Sequence, residues 1–365
     1  MVTSPMDDEL VSFFSRLSES FGPSGFESEP INLIKERYSI FSESSIRDGL
    51  GSLIFKKSGE TEGPKVMAAG HVDEIGFIIV SIEDNGFLKF ETLGGWASTT
   101  LPAQRVIVRT KRGDHVGVIT SKPPHLMTPE ERNKPIEIKD LFIDVGAKNK
   151  DQLKEMGIRI GDPVAPLAPF EVLRGGKAWL GKAFDDRVGT LVVMEVLRNL
   201  KEGGVNHPNT YYAVATVQEE VGLRGAETAA DVVNPDVFIA VDVDIAGDSP
   251  GITSAEAPAK MGEGVSIITW DRSMIPNFKL REFVIEVAEE ENIPYQLSAV
   301  RGGTDAGRVH LHSKGVPSVV LGIPTRHIHS HSSILSPDDV EATMKLLLAL
   351  IRKMDSKVVR GFQEL

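Results

Sequence analysis

The chain has no cysteine and no long uninterrupted apolar segment. Without cysteine it can form no disulfide bond and offers no thiolate to a metal ion, which fits a cytoplasmic location. Its apolar runs are far shorter than the ~20 residues that a membrane-spanning helix needs. The first residues, MVTSPMDDELVSFF, place no basic segment before an apolar one. We therefore expect neither a membrane span nor a secretory signal.

Positive charge is also scarce. Lysine and arginine number 40 against 52 aspartates and glutamates, which leaves a net charge of −12 at pH 7. Nucleic-acid binding needs clustered lysine and arginine, so we expect no nucleic-acid partner. We interpret this net negative charge as a contribution to solubility.

The length and the hydrophobic pattern predict two domains. A chain of 365 residues with 41% hydrophobic residues is too long for one ordinary domain and can bury real cores. Between about Ile75 and Pro169, short β-like runs alternate with turn signals, which predicts a small barrel or sandwich. On either side helices alternate with strands, which predicts a mostly parallel or mixed sheet with helices on both faces. The predicted fold class is therefore α/β, with a discontinuous sheet domain at 1–74 and 170–365 and an inserted small β-barrel-like domain at 75–169.

Local periodicity locates the main elements of the α/β part. Predicted helices are Asp7–Ser18, Glu27–Tyr38, Arg187–Leu200, Pro276–Glu291 and Pro337–Lys353. Predicted strands are Leu53–Lys57, Lys65–Ala69, Tyr211–Val217, Val237–Val243 and Ser318–Leu321.

Histidines and carboxylates recur beside these apolar runs, where an α/β sheet delivers side chains to its carboxyl edge. In chain order they are His71, the pairs Asp185-Asp186 and Glu219-Glu220, Asp242, and His329. Five such ligands can hold two divalent cations, and the spare glutamate can act as a base. Oxygen and imidazole ligands without sulfur suit zinc, cobalt, manganese or iron(II). Two cations with an adjacent base activate water for attack on a carbonyl or phosphoryl group, so the chain is interpreted as a metallohydrolase.

Each segment also has an ordinary structural explanation. Asp185 and Asp186 precede a helical pattern and could simply cap that helix. The glutamate pair could lie in a solvated loop, although two acids directly after a buried strand would be costly unless paired or metal-bound. Asp73 could accept the second imidazole N–H of His71 and fix its tautomer, or both could belong to a polar loop.

The histidine segment leaves a choice open. His327, His329 and His331 alternate, and in an extended strand all three would point the same way. Spacing alone therefore does not select a ligand among them.

Taken together, these segments resemble the M42 family of metallo-aminopeptidases, a group that includes glutamyl and leucyl types and the tetrahedral aminopeptidases. Its members were formerly labelled cellulase M or endoglucanase homologues. The matching strings are Ala69-Gly-His71-Val-Asp73-Glu-Ile-Gly76, Gly94-Gly-Trp96, Asp185-Asp-Arg187, Gln218-Glu-Glu-Val-Gly222, Asp242, Pro294-Tyr-Gln296, Gly303-Thr-Asp305-Ala and Pro324-Thr-Arg-His-Ile-His329-Ser. The family pattern usually has a tyrosine where this chain has His327 and no histidine at 331, and its His-Ser register favours His329.

The resemblance assigns roles to the candidates. It implies that Asp185 bridges two metal ions, zinc or cobalt, and is joined to Asp186 by a cis peptide. His71 and Asp242 would complete the coordination of one ion, and Glu220 and His329 would complete the coordination of the other. Glu219 would be the general base, acting on a metal-bridging water, while Asp73 would orient His71. Gly303, Thr304 and Asp305 are interpreted as a substrate wall, or alternatively as a tight turn before a helix.

The function that the resemblance implies is removal of N-terminal residues from short peptides, by dimers assembled into a cytoplasmic homododecamer. A metal-dependent amidohydrolase or deacylase on the same site is the alternative. An endoglucanase, as the old label suggests, would need two separated carboxylates and would leave the histidines without a role. The preferred N-terminal residue and the native metal stay open at this level.

Overall fold

The computed structural model describes residues 7–60 and 62–363. Its strands are β1 Ser44–Arg47, β2 Leu53–Ser58, β3 Lys65–His71, β4 Gly76–Ile82, β5 Phe87–Leu93, β6 Arg105–Thr110, β7 Gly113–Thr120, β8 Phe142–Asp144, β9 Pro163–Pro166, β10 Glu171–Leu173, β11 Ala178–Gly181, β12 Thr210–Thr216, β13 Val237–Ile245, β14 Val265–Trp270, β15 Tyr295–Ala299, β16 Ser318–Arg326 and β17 Ser333–Leu335. Its α-helices are α1 Asp8–Glu19, α2 Ser28–Tyr38, α3 Pro129–Asn133, α4 Lys150–Glu155, α5 Phe184–Glu202, α6 Arg224–Val233, α7 Phe278–Glu290, α8 Ala306–Val309, α9 Pro337–Lys353 and α10 Ser356–Gln363.

The main sheet is mixed, with a parallel centre. Its strand order is β1-β2-β12-β3-β13-β16-β17-β11-β10, and β14 and β15 branch from β16. The neighbours β12, β3, β13 and β16 are parallel, whereas the outer pairs are antiparallel. Because parallel strands end at the same edge, the carboxyl ends of these four meet there. This confirms the predicted α/β class and brings the segments after β3, β12, β13 and β16 together.

Helix α5 anchors that edge from one face of the sheet. It packs against β3, β12 and β13, and nearly all of its side chains from Phe184 to Leu197 are buried. Burying a valine or leucine side chain contributes ~1.5–3 kcal/mol each. The long buried surface therefore fixes the position of the first turn of α5, where Asp185 lies.

The second sheet closes into a barrel in the order β4-β5-β8-β7-β6-β9. Its interior is filled by apolar side chains such as Phe77, Phe90 and Ile143, and all of them are nearly inaccessible to solvent. The six strands fall between residues 76 and 166, so the predicted inserted β barrel is present. The domain boundaries proposed for it, after residues 74 and 169, stay a prediction.

The capping interpretation holds for one of the two aspartates. Asp186 has non-helical backbone angles, and its carboxylate accepts the N–H of Gly189 three residues on at 3.0 Å, as a helix-capping side chain does. The expected extended histidine segment needs correction, because β16 ends at Arg326 and both His327 and His329 have positive φ. The three histidines therefore do not share one face.

In the part of the chain that the structure describes, no helix is long and apolar enough to cross a membrane.

Candidate metal centre

His71 ends strand β3 and is the most central of the candidate ligands. Its side chain is buried, with Nδ1 3.1 Å from the carbonyl oxygen of Asp73 and Nε2 3.1 Å from Oδ1 of Asp185. The carbonyl can only accept, so Nδ1 carries a proton and Nε2 points at the carboxylate. The predicted partner, the Asp73 carboxylate, lies further from Nδ1, at 3.6 Å.

The carboxylate of Asp73 instead holds the glutamate pair. It accepts the backbone N–H of Glu219 at 3.0 Å and of Glu220 at 3.2 Å, and the hydroxyl of Ser24 at 2.7 Å. Glu27 accepts the N–H of Gln218 at 3.1 Å in the same turn. The sequence analysis missed Ser24 and Glu27, since both lie about 190 residues from the turn that they fix.

The two consecutive aspartates have different partners. They are joined by a cis peptide bond, as the resemblance implied. Asp186 is fully buried and accepts the backbone N–H groups of His71 and Gly189 at 3.1 and 3.0 Å. Asp185 directs one oxygen to Nε2 of His71 at 3.1 Å and the other to Nε2 of His329 at 3.4 Å. Asp185 therefore places one carboxylate oxygen beside each of two imidazoles.

His329 is positioned by the barrel. Its Nδ1 lies 2.7 Å from the carbonyl oxygen of Gly95, and its Nε2 lies 3.7 Å from Oε2 of Glu220. A Cβ at Gly94 would come within 2.5 Å of Ile75 and 3.0 Å of the Glu220 carboxylate. The Gly94-Gly95 turn therefore needs glycine to approach the site this closely.

The neighbouring histidines lie elsewhere. His331 is buried and packs against Trp96, with ring centroids 5.2 Å apart. His327 is exposed. Of the three, the structure brings His329 to the carboxylates.

Asp242 lies near the end of strand β13, where its Oδ1 accepts the N–H of Val243 at 2.7 Å. Two groups of side chains have ligand atoms within 4.8 Å of one another: His71 with Asp185 and Glu220, and His71 with Asp186 and Asp242. Both groups contain His71, whereas the resemblance divides the ligands between two ions.

The electrostatics of the cluster are dominated by buried negative charge. Burial, together with the neighbouring Asp242 and Glu220, raises the pKa of Glu219 well above its ordinary value. Burial and the charge of Asp185 raise the pKa of Glu220 to about 8. Burial opposes ionisation of Asp185 as well, but hydrogen bonds from His329 and His71 hold its pKa below the ordinary value.

The pKa values of Asp242 and His329 are both raised. Burial, with Asp185 nearby, raises the pKa of Asp242 to about 8. Burial disfavours the charged form of His329, yet its hydrogen bond to Asp185 and the charge of Glu220 raise its pKa to about 10. The carboxylates outnumber the imidazoles, and the site attracts positive charge.

These residues fit divalent cations. Oε1 of Glu220 is buried without a hydrogen-bond partner among the described residues. An orphaned buried carboxylate oxygen is costly unless a cation meets it. Oxygen and imidazole donors are the ligands that zinc and cobalt take in proteins.

A small cavity of about 90 Å³ opens onto the cluster. Gly303 and Thr304 line it, as the predicted substrate wall requires. Asp305 does not line it: this side chain is buried and accepts the hydroxyl of Thr216 at 2.5 Å. The hydroxyl of Thr304 donates to Asp271 at 3.1 Å, so it too is held by the protein.

The parallel centre of the sheet gathers histidines and buried carboxylates at one edge, beside a small cavity, an arrangement typical of metal-dependent hydrolases. Comparison with known proteins gives the family. The model of the M42 glutamyl aminopeptidase family matches residues 51–346. The chain belongs to this family, whose members are metal-dependent, and is an aminopeptidase that hydrolyses peptide bonds.

Curated relatives match over nearly the full length. The glutamyl aminopeptidase of Lactococcus lactis is 34% identical, covering 96% of this chain and 98% of its own. The lysyl aminopeptidase of Pyrococcus furiosus is 34% identical, covering 93% of this chain and 96% of its own.

Solved structures agree in fold. The TET aminopeptidase of a Thaumarchaeota archaeon from marine sediment is 51% identical with a TM-score of 0.95, covering 97% of this chain and 99% of its own. The TET1 peptidase of Pyrococcus horikoshii, which can assemble into a tetrahedron or a large octahedral shell, is 31% identical with a TM-score of 0.83, covering 94% and 100%. A Thermotoga maritima protein named an endoglucanase is 30% identical with a TM-score of 0.77, covering 95% and 98%.

Proposed function

We propose that this aminopeptidase is a co-catalytic dinuclear enzyme that removes N-terminal residues from short peptides. The observation that carries the proposal is the Asp185 carboxylate, which directs its two oxygens to the imidazoles of His71 and His329. A single carboxylate between two imidazoles on opposite sides fits a pair of cations better than one.

The proposed ligands are Asp185 as the shared carboxylate, His71 with Asp242 on one side, and Glu220 with His329 on the other. Two divalent cations bound there, zinc or cobalt, would polarise the scissile carbonyl and lower the pKa of water. Asp73 and Asp186 would act as positioning residues, since each accepts backbone N–H groups of the ligand-bearing segments.

Glu219 is proposed as the general base. It lines the cavity, and its carboxylate comes within 3.8 Å of the His71 imidazole while its backbone is held by Asp73. Burial raises its pKa well above the ordinary value, and a carboxyl group with a raised pKa can both accept a proton from water and return it to the leaving amine.

The proposal for Glu219 is tested with Glu219→Gln. Loss of the proton carrier is expected to lower kcat by about 10²–10⁴-fold while metal content and thermal stability stay near those of the parent. Glu227→Gln, an exposed glutamate on α6, is the matched control and should leave kcat unchanged. Near-normal turnover by Glu219→Gln would remove it from the role of base.

The proposed reaction is tested on metal-stripped protein with zinc or cobalt restored. Aminoacyl p-nitroanilides should be hydrolysed only after metal is returned, and only with a free α-amine. Hydrolysis of an acyl-blocked substrate instead would identify a deacylase. Turnover of a glucan that survives chelation would identify a glycosidase, which ordinarily needs two carboxylates and no metal pair.

Assembly and location are proposed on the family relation. The shell formed by the Pyrococcus horikoshii peptidase supports a homo-oligomer for this chain, and a homododecamer assembled from dimers would admit short peptides while excluding folded proteins. Sedimentation of the purified chain tests this directly. The cytoplasmic location stays a prediction.

A further inference from the structure

A second and larger cavity, of about 600 Å³, lies between the main sheet and the barrel. Its walls come from the segment that leads into α2, the end of β1, the β6–β7 turn and the start of β9. None of the proposed metal ligands lines it, and the catalytic proposal gives it no role. A volume of this size is typical of a small-molecule site.

Positive charge gathers around this cavity from separate segments. The cationic side chains that line it are Arg47, Arg109, Lys111 and Arg159. Arg109 is already paired, with Glu29 and with Asp114, at 2.7 Å each. The other three are exposed, and Arg47 and Lys111 have no carboxylate partner among the described residues. Like charges around one cavity repel one another, so an anion placed between them would be stabilised.

The two acids that line the cavity leave this excess in place. Asp162 accepts the backbone N–H of Arg159 at 2.8 Å, but its carboxylate lies 3.8 Å from the Arg159 guanidinium. Glu27 accepts two backbone N–H groups, at 2.6 and 3.1 Å. Burial, with the charge of Asp73 nearby, raises the pKa of Glu27 to about 7, so it is only partly ionised at neutral pH. The cavity is therefore electropositive in a chain whose net charge is −12.

Helix α2 begins at the same cavity. Its first residue, Ser28, is exposed and lines the wall, and the N-cap residue Glu27 makes no side-chain capping hydrogen bond. Backbone N–H groups and the dipole at a helix N-terminus favour negative charge, and phosphate groups in particular. The start of α2 thus adds to the attraction of the cationic side chains.

The cavity also has an apolar floor. Phe21 and Ile31 are buried there, and the guanidinium of Arg109 lies 4.0 Å from the centre of the Phe21 ring. Phe26 is partly exposed, and Leu50 keeps 41% of its surface exposed. Open apolar surface beside cationic groups suits an organic anion better than a bare ion.

We propose that this cavity binds a small organic phosphate. The phosphate group faces Arg47, Lys111, Arg159 and the start of α2, and the organic part lies on the apolar floor. Several cations and a helix N-terminus together suit the multiple charges and oxygens of a phosphate ester. The proposal is independent of the proposed function, because it concerns a different cavity and is tested by binding alone.

The test is isothermal titration calorimetry of the full chain with phenyl phosphate, phenol and inorganic phosphate, and with AMP as a larger probe. Phenyl phosphate is expected to bind saturably and at least about tenfold more tightly than phenol or inorganic phosphate, since charged and apolar contacts act together. Equal binding of inorganic phosphate would overturn the organic ligand, and equal binding of phenol would overturn the phosphate. Absence of binding by both phenyl phosphate and AMP would overturn the site.

Substitutions place the binding in this cavity. Arg47→Gln and Lys111→Gln should each weaken the binding of phenyl phosphate by about tenfold, because each removes a charged donor. The matched controls are Arg16→Gln and Lys201→Gln, at exposed cations outside the cavity, and they should leave the affinity unchanged. Unchanged affinity in both cavity variants would place the ligand elsewhere, the metal centre included, and overturn the assignment.

A third substitution separates binding from folding. Ser28→Glu adds a negative charge at the first residue of α2, where it is favourable to the helix but repels an anion in the cavity. Thermal stability should stay near that of the parent while the affinity for phenyl phosphate falls about tenfold or more. Ser356→Glu, at the first residue of α10 and outside the cavity, is the matched control and should not change the affinity. Parental affinity in Ser28→Glu would contradict the proposal.

Discussion

Two buried charged clusters lie side by side in this molecule, on either side of segment 71–74, and they balance their charge differently. In the first, Glu74 pairs with Lys182 at 2.6 Å and with Arg187 at 3.4 Å, and all three are almost inaccessible. The second is the candidate metal centre, where four carboxylates face two imidazoles and Oε1 of Glu220 has no partner among the described residues.

The first cluster is saturated with hydrogen bonds. Arg187 donates to the carbonyl oxygens of Val72, Leu17 and Ser20, at 3.0, 2.9 and 2.7 Å. Buried ions with complete partners hold segments together and are costly to break. The contrast teaches that the chain pairs the buried acid Glu74 with a lysine and an arginine of its own, whereas at the metal centre the carboxylates outnumber the imidazoles.

The largest expected effect is on the saturated cluster. Arg187→Met removes a buried cation and strands several carbonyl groups, so the free energy of unfolding should fall by ~3–5 kcal/mol. Arg109→Met, at a partly exposed arginine that pairs with Glu29 and Asp114, is the control and should cost no more than ~1 kcal/mol. Urea titrations of both variants measure this; equal losses would mean that burial does not distinguish them.

Neutralising one acid in each cluster should change the free energy of unfolding in opposite directions. Glu74→Gln leaves Lys182 and Arg187 short of charge and should destabilise the protein by about 3 kcal/mol. In metal-stripped protein at pH 9, Glu220→Gln removes a carboxylate that burial and Asp185 oppose, and should stabilise it by about 1–2 kcal/mol. Thermal unfolding of the two variants under the same conditions tests this contrast. A loss of stability in both variants would contradict it.

The stability of the metal-stripped protein should depend on pH because of the same excess of buried negative charge. Burial raises the pKa of both Glu220 and Asp242 to about 8, so the folded state binds more protons than the unfolded state between about pH 4 and 8. The contribution of these two groups to stability is then fully present below about pH 4 and is lost as pH rises through that window. Saturation with zinc should flatten the slope, and a rise in stability over the same window would contradict the assignment.

The smallest effect on stability should come from the histidines. His329→Ala removes a half-exposed ring and should cost less than about 1 kcal/mol, yet lose one metal ion per chain. His331→Ala should keep both ions, because its ring contacts Trp96 rather than the carboxylates. Elemental analysis of the two variants after dialysis decides the matter, and the reverse pattern would assign the metal to His331.

Helices and buried central strands could be predicted from local signals. Helix α9 was placed at Pro337–Lys353, where a serine cap, a proline in the first turn and apolar residues at helical spacing coincide. Strand β14, Val265–Trp270, was not predicted. It lies beyond β16, pairing antiparallel with that strand and parallel with β15. Its short segment is rich in β-branched residues and follows Gly262 and Gly264, so a local strand signal was present and was overlooked.

The sequence by itself determined the chemistry of the site: carboxylates and histidines after apolar strands, and no sulfur. Only the tertiary structure decided which atoms meet. It brought Gly95 to His329, 234 residues away, and directed the Asp73 carboxylate to the backbone N–H groups of Glu219 and Glu220. The reason is physical, because residue type and periodicity are local properties of a chain, whereas contacts across a sheet edge depend on strand order and register.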